Sequence, residues 1–229
     1  MDEYCLFFHG ILQATASQEA CARKMTYLCH VRELVLYRAP TKLSVFSPLL
    51  NSVDLFPSLH YVEFSHEEGS GYVSLFSRFF NIRHVCIRTF ESGRLYHPEM
   101  GSVFDKWKDV EMLTFYNWYA SDNGAKSVQD AGIPLAWTKL RKITIYPELA
   151  SYGGILCVPP RHQIPIPFQY MPNPSHFPLL EKFMVMIPAQ SPSFEYNQKQ
   201  YQKYAAPLSD EQKALIDFAR VETVNSGWP

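Results

Sequence analysis

The chain has 229 residues, 47% hydrophobic and 19% charged, a balance that supports a packed core and excludes a disordered chain. Lys and Arg number 21 against 22 Asp and Glu, for a formal net charge of −1, so no overall field draws in nucleic acid or an anionic membrane surface. No apolar run is long enough to span a bilayer, and Met1-Asp-Glu-Tyr4 is acidic where a secretory signal would be basic.

Residues 1–30 read as N-terminal capping helices. Leu6, Phe7, Ile11 and Leu12 fall on one face at helical spacing, and Ser17 can cap a following turn that carries Cys21, Met25 and Leu28. The five cysteines, Cys5, Cys21, Cys29, Cys86 and Cys157, form no C-x-x-C pair, a pattern of reduced thiols that points to the cytoplasm or nucleus. Asn173-Pro-Ser175 approaches a glycosylation triplet, but its central proline blocks it.

From residue 31 one phrase recurs six times, with apolar residues at its first, fourth and sixth places. It is spelled Val31-Arg-Glu-Leu34-Val-Leu36, Leu59-His-Tyr-Val62-Glu-Phe64 and Ile82-Arg-His-Val85-Cys-Ile87, then Val110-Glu-Met-Leu113-Thr-Phe115, Leu140-Arg-Lys-Ile143-Thr-Ile145 and Leu180-Glu-Lys-Phe183-Met-Val185. Successive first places lie 28, 23, 28, 30 and 40 residues apart. Side chains alternate along a strand, so the fourth and sixth places share one face while the third, fifth and seventh share the other. One such strand cannot bury its apolar face alone; six stacked in parallel can. The phrases predict parallel strands near 31–36, 59–64, 82–87, 110–115, 140–145 and 180–185, ordered in space as in sequence.

The intervening segments read as returns that pack beneath the sheet. Ser47-Pro48 starts a helix bearing Phe46, Leu49, Leu50 and Val53. Tyr72, Val73, Phe76, Phe79 and Phe80 supply the next apolar face, and Ser102 with Asp105 resembles a capping box ahead of Trp107. Ser121-Asp-Asn-Gly124 marks a turn. Trp107 and Trp137 each stand three residues before the first place of their phrase, a matched offset expected of true repeats. Between the fifth and sixth phrases, residues 157–178 form a proline-rich insertion with Pro159, Pro160, Pro165, Pro167, Pro172, Pro174 and Pro178, too dense for helix or sheet and expected along one rim. Residues 191–229 read as a C-terminal cap and tail, its helix opened by Ser209 and Gln212 in capping-box positions and carrying Leu215, Ile216 and Phe218.

An L-x-x-L-x-L core at this spacing is the spelling of leucine-rich repeats. The series resembles the leucine-rich-repeat portion of fungal F-box-type proteins, in the phrase Tyr27-Leu-Cys-His-Val-Arg-Glu-Leu-Val-Leu36 and in the lead-ins Phe56-Pro-Ser-Leu59 and Phe177-Pro-Leu-Leu180. The fold class expected is α/β: an irregular horseshoe-like solenoid over residues 31–190, its parallel strands joined by helical or irregular returns and capped by helices at both ends. The asparagine that follows each strand in regular repeats is replaced by Ala39, Glu67, Phe90, Trp118 and Glu148. The resemblance implies substrate recognition for a ubiquitin ligase, with a Skp-type adaptor as partner where an F-box precedes the repeats. No F-box is spelled in this sequence.

Catalytic signatures are missing. There is no G-x-S-x-G and no phosphate-binding G-x-x-x-x-G-K-[ST], and His66-Glu67 lacks the second histidine of a zinc protease. Cys29, His30, His60 and His84 fall near the starts of adjacent strands but at differing places in the phrase, so they read as scattered histidines rather than a metal site. No enzyme, metal or cofactor is expected. The sheet's second face is expected to bind a protein partner through Tyr37, Tyr61, His84, Arg88, Tyr116, Lys142 and Tyr146, residue types that are common at interface cores or pair with acidic groups. The alternatives are a stand-alone scaffold without a ligase role and a hydrolase using Cys86 with a nearby histidine.

Overall fold

In the computed structural model, residues 29–36, 56–65, 75–90, 100–118, 133–147, 172–188 and 208–221 are described, along with positions 26, 73, 151–152, 155–156, 195, 198–199, 202 and 205–206. Nine strands fall among them: β1 (Glu33–Leu36), β2 (Tyr61–Ser65), β3 (His84–Phe90), β4 (Met112–Trp118), β5 (Lys142–Pro147), β6 (Ser151–Tyr152), β7 (Ile155–Leu156), β8 (Lys182–Pro188) and β9 (Ile216–Val221). Seven of these form one sheet in the order β1-β2-β3-β4-β5-β8-β9, and every neighbouring pair in it is parallel. The expected six strands are present, in sequence order. Each begins two residues later than its phrase, because the first two residues belong to the turn that feeds the strand.

That turn repeats closely. Leu59 N–H donates to Phe56 O, Leu140 to Trp137 O and Leu180 to Phe177 O, each at 3.0 Å. One carbonyl then accepts two donors from the next phrase at every junction. Arg32 O takes the N–H groups of His60 and Tyr61, His60 O those of Arg83 and His84, and Arg83 O those of Glu111 and Met112. Glu111 O takes Arg141 and Lys142, and Arg141 O takes Glu181 and Lys182, all within 3.2 Å. The second-place residue thus does the same work across five junctions, although Arg, His and Glu occupy it. A backbone ladder explains why that place is apolar in none of the six phrases: its side chain is left on the outside while its carbonyl joins the strands.

The fourth and sixth places carry the core as the alternation requires. Leu34, Val62, Phe64, Val85, Ile87, Leu113, Phe115, Ile143, Ile145, Phe183 and Val185 are all buried. Beneath them run the aromatic residues of the lead-ins. Phe56, Phe79, Trp107, Trp137 and Phe177 each stand three residues before a first place and each is buried. Ring contacts join successive phrases: Phe56 to Phe79 at 5.5 Å, Phe76 to Trp107 at 5.6 Å and Phe104 to Trp137 at 5.3 Å between centroids. The indoles are also tied by hydrogen bonds, Trp107 Nε1 donating to Phe79 O and Trp137 Nε1 to Phe104 O, both at 2.9 Å. A buried indole N–H needs such a partner. Tryptophan here therefore fills volume and fixes the offset between neighbouring phrases.

Several expectations are corrected. Ser102 and Asp105 form no capping box: the short helix α1 (Gly101–Phe104) has Met100 at its N-cap with no side-chain cap, and Asp105 stands at its C-cap. Phe80 does not pack under the sheet but is exposed, one residue after the buried Phe79 in the stretch that follows the turn at Ser77–Arg78 and leads into β3. At the C-terminus the capping box of Ser209 and Gln212 does form, heading helix α2 (Asp210–Leu215). Ile216 and Phe218, expected on that helix, instead lie in β9, the seventh parallel strand, paired with Phe183 and Val185 of β8. Their spacing of two puts them on one side of a strand but on nearly opposite sides of a helix, and the edge of β8 supplies that strand's partner. Before the proline-rich stretch, β6 and β7 pair antiparallel with Tyr152 opposite Ile155. Within the described part of that stretch, Asn173 caps a 3₁₀ turn at Pro174–His176. The N-terminal caps over residues 1–25, the Ser47-Pro48 helix and most of the insertion lie outside the described residues.

Candidate functional site

The third, fifth and seventh places share the face opposite the core, and the register sets their rows. The third-place row runs Glu33, Tyr61, His84, Met112, Lys142, Lys182. The fifth-place row runs Val35, Glu63, Cys86, Thr114, Thr144, Met184. Ser65, Arg88, Tyr116 and Tyr146 are neighbours in the seventh-place row.

Tyr61, His84 and Lys142 of the expected site therefore lie on one row, with Met112 between the last two. Arg88, Tyr116 and Tyr146 stand side by side on the next row but one, through the backbone pairing of β3, β4 and β5. The side chains of Arg88 and Tyr116, and all of Tyr37, lie outside the described residues; Tyr146 is half-buried.

The fifth-place row was expected to be open and is not. Glu63, Cys86, Thr114 and Thr144 are all buried, with Glu63 at 5% and Cys86 at 0% exposure. The physical reason is side-chain length. Cys and Thr are short, strands lie about 4.8 Å apart, and the longer Tyr61, His84, Met112 and Lys142 rise beside them from two residues earlier. Among the described residues, the exposed large apolar side chains of this face are Met112 at 39% and Val35, at the β1 end, at 37%.

Glu63 is the one carboxylate buried in this face among the described residues. Its Oε2 accepts the Tyr61 hydroxyl, two residues back on the same side of β2. Burial first, and this hydrogen bond second, push the Tyr61 phenol well above its ordinary range, so it stays protonated as the donor. Tyr61 also meets His84 edge-to-face, with ring centroids 4.8 Å apart at 82°. On its other side His84 Nε2 lies 2.8 Å from Thr114 Oγ1. Burial lowers the His84 pKa; Glu63 opposes the shift, and Lys142 and His60 add to it. At neutral pH the row thus holds a neutral imidazole between a phenol and a hydroxyl.

Sequence reasoning placed all four residues on the face but singled out only Tyr61 and His84 as site residues, not Glu63 or Thr114. A signal was there: Tyr61 and Glu63 are spaced by two on one strand, which puts them on the same side. Its force depends on Glu63 being buried, and burial of a fifth place is not legible in the spelling.

The described part of this face offers a phenol, an imidazole, hydroxyls and one buried carboxylate. Cys86, the nucleophile of the hydrolase alternative, is fully buried, so a substrate does not reach its sulfur in this arrangement. Among the described residues there is no group of three His, Cys, Asp or Glu side chains that could hold a metal ion, and no helix long and apolar enough to cross a membrane. The charges lining the strand starts pair with one another, Arg83 with Glu111 at 4.0 Å, Arg141 with Glu181 at 3.4 Å, and Lys139 with Asp109. Lys182 on the open face pairs with Asp217 of β9 at 3.8 Å. Compared with known proteins, the chain is matched by no protein-family model, no curated protein and no solved structure.

Proposed function

We infer that the chain is a leucine-rich-repeat-like solenoid that works as a protein-interaction module, with the second face of its parallel sheet as the binding surface. The specific form suggested by its spelling is the substrate-recognition part of an F-box-type ubiquitin ligase, to which a Skp-type adaptor belongs where an F-box lies upstream of these residues. The observation that carries the reading is the third-place row. Tyr61, His84, Met112 and Lys142 stand on consecutive strands β2 to β5, held at strand spacing by backbone bonds on both sides. A row so fixed loses little freedom when a partner settles on it. Met112 leaves a large apolar side chain 39% exposed at its middle, the amphipathic composition favoured where proteins meet.

Met112→Arg tests this. The side chain sits at the middle of the row and is not part of the core, so the variant should keep the wild-type melting temperature within about 2 °C. Proximity labelling in cells expressing either form should then show a set of wild-type neighbours depleted at least tenfold with the variant, as burial of an arginine in an apolar contact requires. Identical neighbour sets for the two folded proteins would refute the face as the binding surface.

A further inference from the structure

Two hydrogen bonds and one ring contact link residues of three strands around His84. Tyr61 on β2 donates to Glu63, its ring abuts His84 on β3, and His84 reaches Thr114 on β4. We propose that this row is a proton-operated latch: adding a proton to His84 draws its ring toward the Glu63 carboxylate, displaces the Tyr61 hydroxyl from that carboxylate, and so changes what the open face presents.

The argument is one of donors and acceptors. A neutral imidazole has one donor and one acceptor nitrogen, and a single hydroxyl, Thr114 Oγ1, satisfies Nε2 in either tautomer. The imidazolium has two donors and no acceptor, so it needs an additional acceptor at once. Thr114 serves one nitrogen only. The groups around His84 among the described residues are His60, Tyr61 and Glu63 from the β2 segment, Cys86 on its own strand, Met112 and Thr114 on β4, and Lys142 on β5. Of these, Glu63 is the single anion, and it is the one group whose field favours the protonated ring, against Lys142 and His60.

Glu63 is already engaged by the Tyr61 hydroxyl. The phenol's bond to the carboxylate is already charge-assisted, but the phenol itself is uncharged; an imidazolium brings a full positive charge to the same buried carboxylate, so the phenol yields. The latch then has two states. At neutral pH Tyr61 is tied down and His84 is uncharged; in acid the face carries a cation, and Tyr61 turns its hydroxyl outward. Both residues sit on the row assigned above to partner binding, so the consequence for binding rests on that reading, while the latch itself does not.

The test is a proton-NMR pH titration of the full chain from about pH 8 to pH 5, following the His84 Cε1–H, the Tyr61 ring and the Thr114 methyl. The Tyr61 and Thr114 signals should move with the same midpoint as His84, and His84→Gln should abolish the acid shift of Tyr61. Glu63→Gln should move the His84 midpoint to lower pH, because the attracting carboxylate is gone. Lys142→Gln should move it to higher pH, and this surface variant serves even where Glu63→Gln folds poorly. Tyr61 signals that stay flat through the His84 titration, or a Lys142→Gln midpoint that falls, overturn the latch. Repeating the proximity labelling on permeabilised cells at both ends of the range separates the two ideas. Neighbours that depend on Met112 yet ignore pH would refute acid control of binding, and neighbours indifferent to Met112 would refute the binding face while the NMR result stands.

Discussion

Trp107→Phe is the sharpest test of how the phrases are held together. Trp107 is fully buried, its ring lies 5.2 Å from Phe104 and 5.6 Å from Phe76, and its Nε1 donates to Phe79 O at 2.9 Å. Phenylalanine keeps an aromatic ring there but removes the donor, which leaves a buried carbonyl unsatisfied at about 1–3 kcal/mol. The smaller ring also vacates roughly 40 Å³, worth about 1 kcal/mol at ~24 cal/mol per Å³ of cavity. The sum, about 2–4 kcal/mol, is a large part of the ~5–15 kcal/mol that holds a folded domain. For a chain of this length it corresponds to a fall in melting temperature of roughly 5–15 °C. Far-UV circular dichroism during urea and thermal unfolding reads it directly, without relying on tryptophan emission. Phe80→Ala, at an exposed ring in the same region, is the control and should cost about 0.5 kcal/mol or less. If Trp107→Phe unfolded within 0.5 kcal/mol of wild type, the indole would not be coupling neighbouring phrases and the reasoning fails.

Two further outcomes follow from the same geometry. Leu113→Asp places a carboxylate in a fully buried fourth place, combining a lost side chain worth about 2–5 kcal/mol with a desolvation cost of several more. It should leave no cooperative unfolding transition, and a sharp melt would contradict the assignment of that face to the core. Tyr61→Phe tests the bond to Glu63. Because the folded phenol titrates above its ordinary value of about 10, its contribution is fully present below that pH and is lost as pH rises through and beyond it. The variant should therefore be less stable at neutral pH, by about 1–3 kcal/mol for a carboxylate short of one donor, and should lose less stability than wild type above about pH 10. Equal alkaline slopes in chemical denaturation would rule the contact out.

The strands were legible because alternation is a local property. Val62 with Phe64, or Leu113 with Phe115, can sit in water or in a core only as a pair, and six such pairs at similar spacing leave the chain few other folds. The two-residue offset at each strand start was not legible, since the turn that consumes the first and second places is made by backbone bonds from Arg32, His60, Arg83, Glu111 and Arg141, whose side chains say nothing about it. β9 was missed for a different reason. Leu215 and Phe218 stand three apart, as neighbours on a helix face do, which masks the strand-like spacing of Ile216 and Phe218, and the partner of that strand, the edge of β8, lies about thirty residues away in the chain. Ser102 and Asp105 have capping-box spelling without its bonds because the helix there is four residues long and starts at Gly101. A motif of side chains works only where the backbone presents the right N–H groups.

In the fifth-place row the candidate site depends on burial that only the fold creates. From the spelling, Glu63 is one more polar residue on a wet strand face. In the fold it is buried beside Cys86, with Thr114 one strand further on, where a charge costs several kcal/mol unless hydrogen-bonded. Thr114 and Thr144 answer the same pressure with short hydroxyls, and Cys86 with no charge at all. A carboxylate kept in that row fixes the position of Tyr61 through one hydrogen bond, and Tyr61 in turn bounds the space left to the His84 ring at 4.8 Å. The polar chain is thereby ordered from the buried row outward: Glu63 sets Tyr61, Tyr61 and Thr114 set His84, and His84 meets solvent beside Met112. The placement of Tyr61 and His84 is accordingly expected to respond to Glu63→Gln, a change made in the buried row, as strongly as to changes in the exposed row itself.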